Sequence, residues 1–236
     1  VEPAHATRLH FIGGEKGGVG KSVVARVLAQ YFIDRNIPFL GFDTDKSHGS
    51  LLRFYAEFAA AVVIDRYEGL DRIVEAAAEQ PGRRIIVDLA AQTHRFLALW
   101  MEDSGLLDIR DELGLALTYW HVMDSGRDSA ELLVKVLDQF GGRLPLVVVL
   151  NEVRGGDFTI AESSGALARA KDLGAAVITL RQLPDATMQK IDAHSTSFWA
   201  ATTRGSKDGS ALGLLERQRV KNWLHKAYEE IGRLDA

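Results

Sequence analysis

The chain has 236 residues, 47% hydrophobic and 25% charged, with 28 Lys and Arg against 32 Asp and Glu for a net charge of −4. That suits one sizeable domain spanning residues 1–236 and excludes a polycation built to coat nucleic acid. There is no cysteine, so a disulfide framework, a thiolate zinc site and a cysteine-held iron–sulfur cluster are excluded in this chain.

Taken in chain order, apolar runs of strand length alternate with helix-period segments. Arg8–Gly14 reads as a strand feeding a glycine-rich loop, and Ser22–Asn36 as a helix with Val24, Val27, Leu28 and Tyr31 on one face. Pro38–Asp45 is a strand ending in two acids, and Ala61–Tyr67 a short strand before a helix over 69–80. Arg83–Ala91 and Leu115–Asp124 are buried-type strands, the second followed by a helix over 127–140. Leu144–Val153 and Ala175–Pro184 complete the strands, and a helix runs from about Leu212 to Leu234. Near-continuous β-branched strands between helices predict an α/β fold: a mostly parallel central sheet with helices on both faces. Ligands in such sheets sit beyond the carboxyl ends of the strands.

"GGEKGGVGKS" (Gly13–Ser22) joins the first strand to the first helix. Glycines let backbone amides converge on a phosphate, and a helix start adds the positive end of its dipole. The amides of Gly17, Gly18, Val19, Gly20, Lys21, Ser22 and Val23 are the expected cradle. Lys21 reaches the β- and γ-phosphates, and the Ser22 hydroxyl ligates Mg²⁺. Strand, loop, Gly-Lys-Ser and helix stand in the order a P-loop NTPase needs.

Glu15 stands where the simple loop has glycine. Lysine before two glycines, "KGGVGKS", resembles the deviant Walker A loop of the MinD/ParA class of ATPases. The resemblance implies that Lys16 is the signature lysine, reaching the nucleotide of a twin subunit across a homodimer. A second ammonium there offsets charge that builds up in phosphoryl transfer. Glu15 and Lys16 thereby join the nucleotide-contacting run, and Lys16, Lys21 and Asp45 form the catalytic set. "FDTD" resembles the class's switch I: Asp45 would orient the attacking water and Asp43 would help hold Mg²⁺ through water. Asp88 in "IIVDLAAQ" falls at the Walker B position, with Leu89, Ala90, Ala91 and Gln92 where the class often has proline and glycine. Asn151 would hydrogen-bond adenine and Pro184 would line it. The guanine-selective Asn-Lys-x-Asp is absent, since Asn151 is followed by Glu-Val-Arg, which favours ATP over GTP.

Segments such as "FDTDKSHGSLLRF", "HVMDSGRDSAELLVKVL" and "LVVVLNEVRGGDF" look closer to the TraL/StbB-like conjugation ATPases than to partition or septum-site proteins. Lys46 and Ser47 replace the Pro-Gln that follows Asp45 in partition ATPases. The implied function is a slow, partner-stimulated Mg-ATP hydrolase and dimerisation switch in plasmid transfer or cargo positioning, with a protein partner. An ATP-dependent biosynthetic enzyme and a weakly hydrolysing nucleotide-sensing scaffold are the alternatives. Residues 204–226 hold six Lys or Arg against two Asp or Glu, so Arg217, Arg219 and Lys221 are candidates for non-specific DNA contact. The last helix ends in an acidic tail, a poor match to an anionic membrane, and its apolar face is expected to pack on protein. With no apolar run near the ~20 residues of a membrane span and no signal segment, the expected location is the cytoplasm. The seven histidines lack metal-ligand spacing; His94 and His121 are expected to pack.

Overall fold

A computed structural model describes residues 7–45, 49–203 and 212–234. Along them run β1 (Thr7–Gly13), α1 (Lys21–Asp34), β2 (Phe39–Asp43), α2 (Ser50–Phe54), β3 (Ala59–Ala61), α3 (Tyr67–Glu79), β4 (Arg84–Asp88), α4 (His94–Asp103) and α5 (Leu106–Ile109). Then follow β5 (Leu115–Met123), α6 (Arg127–Phe140), β6 (Leu146–Asn151), α7 (Thr159–Ser163), α8 (Ala166–Asp172), β7 (Ala176–Leu180), α9 (Asp185–Ala193), α10 (Phe198–Thr203) and α11 (Leu214–Gly232).

The strands form one sheet in the order β3-β2-β4-β1-β5-β6-β7, with every pairing parallel. Side chains alternate across it as the strand period requires. Ile12, Ile86, Trp120 and Val149 face a layer built by α1 and α11. Leu9, Phe11, Ile85, Val87 and Tyr119 face a layer containing Leu70 and Ile73 of α3 and Leu97 and Trp100 of α4. A further cluster joins Leu133 and Leu137 of α6 to Val148 and Ala170. Each fully buried Leu or Phe in these layers contributes about 1.5–3 kcal/mol.

Two expectations need correction. The predicted strand Ala61–Tyr67 is Ala59–Ala61 instead. Its ladder ends where β2 ends, with Ala61 opposite Asp43 and a last bond from the Val62 amide to the Asp43 carbonyl. Val62 and Ile64 stay buried and Val63 exposed, so the apolar run that suggested a strand continues past the end of the ladder. Helix α1 is also not one-faced. Ala25, Arg26, Ala29, Gln30 and Phe32 are buried along with the predicted stripe, because α1 is enclosed by the sheet, α2, α10 and α11. The apolar face of α11 does pack on the core through Val220, Trp223, Leu224, Ala227 and Ile231. Among the described residues no helix is long and apolar enough to cross a membrane.

Candidate functional site

The glycine loop leaves β1, the central strand, between β4 and β5. Gly18 and Gly20 take left-handed backbone, φ 75° and 92°, which side chains resist. A Cβ on Gly20 would also lie 2.1 Å from Asn151 Nδ2. Asn151 is buried at the end of β6, and its amide donates to the Val19 carbonyl at 2.7 Å. The loop is therefore tied to the strand end where the base is expected, and Asn151 Oδ1 is left to accept a hydrogen bond.

Lys21 opens α1 and is buried; its ammonium donates to the Lys16 carbonyl at 3.1 Å. Burial pushes its pKa down, against the pull of Asp88, Glu15 and Asp45. Asp43 and Asp88 end adjacent strands in direct register. Asp88 is fully enclosed: burial first, then the Asp43 charge, push its carboxyl up to about 7, while the Ser22 hydroxyl and Lys21 act in the opposite direction. Asp88 Oδ1 has no hydrogen-bond partner among the described residues. Asp43 accepts the Asp45 amide on Oδ1 at 3.1 Å and the Leu52 amide on Oδ2 at 3.0 Å. Its carboxylate thus ties the end of β2 to Asp45 and to α2, and burial raises its pKa despite those bonds. Lys46 and Ser47 lie outside the described residues.

A buried carboxylate with an unspent oxygen, beside a serine hydroxyl and an enclosed lysine, fits magnesium and a phosphate chain. Magnesium would take Ser22, phosphate and water oxygens, since no group of three or more His, Asp or Glu among the described residues could hold a metal by itself.

Several partners carry no signal in the sequence. Thr44 Oγ accepts the Ala90 amide at 2.8 Å, tying the segment after β2 to the one after β4. Glu15 Oε1 accepts the His94 amide at 2.9 Å, so the residue replacing glycine in the loop caps α4. The His94 ring packs against Tyr119 and Phe140, and His121 is buried. Gln92, one of the four residues standing where the class often has proline and glycine, takes φ 63°, a left-handed turn. Lys16 does not hang in solvent: Nζ lies 3.2 Å from Oδ2 of Asp124 and 3.8 Å from Asp128. Asp124 follows β5, and burial alone would raise its pKa; Ser129, Gly126 and Lys16 together hold it below the usual value. Pro184 opens α9 beyond β7, its carbonyl accepting the Thr187 amide at 2.8 Å.

The sequence profile of the CobQ/CobB/MinD/ParA nucleotide binding domain matches residues 10–190. The chain belongs to this family. The family is a nucleotide binding domain, and the glycine loop lies within the matched residues. A curated relative, protein MobD of Acidithiobacillus ferrooxidans, is 29% identical over 137 residues, 56% of this chain. The match spans 59% of that relative's length. Among solved structures, a putative plasmid partition protein of Borrelia burgdorferi bound to AMPPNP has TM-score 0.53 at 14% identity, covering 94% of this chain and 99% of its own. Cell division protein FtsY of Thermotoga maritima has TM-score 0.53 at 15% identity, covering 94% and 70%. A nucleotide-binding protein of Archaeoglobus fulgidus in complex with ADP has TM-score 0.51 at 15% identity, covering 80% and 86%. At these identities the structural likenesses carry the fold alone.

Proposed function

We propose that this MinD/ParA-type domain, acting as one unit over residues 1–236 in the cytoplasm, binds and slowly hydrolyses Mg-ATP and uses the cycle to dimerise and release. The observation that carries the reading is the convergence of Lys21, Ser22, Asp43, Asp45 and Asp88 in one electrostatic neighbourhood at the carboxyl ends of β1, β2 and β4. Glu15, Lys16 and the amides of Gly17–Val23 contact the phosphates, with Lys21 across the β- and γ-groups. Ser22 ligates magnesium, with Asp43 and Asp88 behind it. Asp45 aims the attacking water. Lys16 leaves Asp124 to act on the twin subunit's nucleotide, compensating transition-state charge. Adenine packs near Asn151 and Pro184. Segments such as "HVMDSGRDSAELLVKVL", which resemble conjugation ATPases, support a role in plasmid transfer, with cargo positioning as the related alternative, each through a protein partner.

The test is light scattering with and without ATP, paired with phosphate release. Asp45→Ala retains ATP binding and the dimer but loses turnover; Lys16→Ala loses turnover and weakens the dimer. Unchanged turnover in either variant removes the role assigned to that residue. DNA contact by the ATP dimer extends the reading to Arg219 and Lys221, both exposed on α11, and to the half-buried Arg217. Replacing Arg219 and Lys221 with alanine removes four cations from the dimer and should then flatten the salt dependence of binding by a log–log slope of about 3.6; no ATP-dependent binding at low salt ends that part.

The scaffold reading is favoured by one feature, the engagement of both Asp43 oxygens by backbone amides, which suits slow turnover. A biosynthetic enzyme would need a second pocket next to the γ-phosphate. The roomy cavity of about 440 Å³ lined by Gln30, Arg53, Tyr55 and Trp199 begins eight residues along α1 from Ser22, about 12 Å by helical rise.

A further inference from the structure

Asp124 is a buried carboxylate with two cations. Its side chain is 0% exposed. Oδ1 accepts the Ser129 hydroxyl at 2.5 Å and the Gly126 amide at 3.1 Å. Oδ2 lies 3.2 Å from Lys16 Nζ and 3.4 Å from Arg154 Nε. Lys16 comes from the phosphate loop and Arg154 from the turn three residues beyond Asn151. The outer nitrogen Nη2 of Arg154 rests against the loop, 3.7 Å from where a Cβ on Gly18 would sit.

One buried carboxylate needs one counter-charge, and removing the sole partner of such a group is strongly unfavourable. Two neutral donors, Ser129 and Gly126, do not replace an ion. A lysine that held Asp124 alone would therefore stay there. The second cation removes that obstacle. Lys16 has a further, exposed carboxylate in Asp128 at 3.8 Å, toward which its ammonium can move on the way out. We infer that Arg154 is a positioning residue: it keeps Asp124 neutralised while Lys16 transfers to the nucleotide phosphates, and so sets how readily the lysine is released. The inference rests on the reading of Lys16 given above. It adds a link between the two ends of the nucleotide, since the turn that carries Arg154 begins at the residue after the base-side Asn151.

The experiment compares Arg154→Met, Arg154→Lys, the double variant Asp124→Asn/Arg154→Met and Lys16→Ala. For each, ATP affinity of the monomer is measured by calorimetry at low protein concentration, the ATP-driven dimer by analytical ultracentrifugation, and turnover by phosphate release. Arg154→Met is expected to weaken the ATP dimer at least tenfold and lower kcat, with monomer affinity for ATP changed less than twofold. Arg154→Lys restores most of the loss. The double variant, which has no buried anion to trap Lys16, recovers the dimer. The Arg154 side chain is 55% exposed, so the fold tolerates its loss; Arg154→Gln is the second neutral variant should the methionine form aggregate. A dimer of native strength in Arg154→Met and Arg154→Gln overturns the inference. So does a double variant no better than the single one, or a large loss of monomer ATP affinity, which would make Arg154 a direct phosphate ligand. Native dimerisation and turnover in Lys16→Ala instead overturns the reading of Lys16 itself.

Discussion

Gly20 concentrates two constraints at one residue. Its φ of 92° is unfavourable for a side chain, and any Cβ there would strike the Asn151 amide that holds Val19. Gly20→Ala should cost about 1–2 kcal/mol of stability from the backbone alone. It should also displace Asn151 and lower nucleotide affinity at least tenfold, as read by calorimetry. Gly17, which has open space around its Cβ position, should tolerate alanine far better, so the pair separates loop geometry from glycine content. At this scale the order of loop residues was legible, because a phosphate cradle needs glycines and a lysine in a fixed sequence. The partners of those residues were not. Nothing in the spacing of Glu15 and His94, or of Lys16 and Asp124, brings them together, since both pairs meet only after the sheet has assembled.

Among the elements, α11 does more than cover the sheet. Trp223 is buried against Phe198, and its indole N–H donates to the Arg181 carbonyl at 2.6 Å. Arg181 begins the segment that leads from β7 to Pro184. Trp223→Ala should destabilise the chain by about 3–5 kcal/mol in denaturant unfolding. Trp223→Phe should recover most of that packing, yet still lose the indole bond and loosen the segment beside the expected base. Strong helices such as α1, α3 and α6 were legible from their 3.6-residue period, and the central strands from their β-branched runs. Short α2, α5, α7 and α8 lack enough turns to show a period. The β3 expectation failed because an apolar run of strand length does not record where the partner strand ends.

For the molecule as a whole, acid is a threat that comes from inside the sheet. His10 sits on the central strand, its ring against Phe32 and Trp120, and its Nδ1 accepts the Trp120 indole N–H at 3.2 Å. Burial, aided by Arg84 and Arg8, pushes its pKa down to about 3. The folded chain therefore refuses a proton that the unfolded chain takes up between about pH 6.5 and 3, and stability falls as pH drops through that window. His10→Gln removes the His10 share of this dependence, leaving that of buried His121, which burial also pushes down to about 3. Its stability relative to the native chain should improve by about 2 kcal/mol between pH 7.5 and pH 5 in urea titrations; a parallel pair of pH profiles would contradict it.

Arg26 has a consequence of its own. Its guanidinium lies within α1, stacks on Phe54 of α2 at 3.6 Å and on Phe198 of α10 at 4.8 Å, and bonds Asp192 of α9 at 2.8 Å. The helices it fastens begin at the phosphate loop, beyond the two acids, and beyond the base segment. A molecule bolted in this way cannot loosen one of those regions in isolation: hydrogen exchange along α1, α2 and α9 should rise and fall as a single cooperative block, so whatever the nucleotide does to one loop is heard by all three.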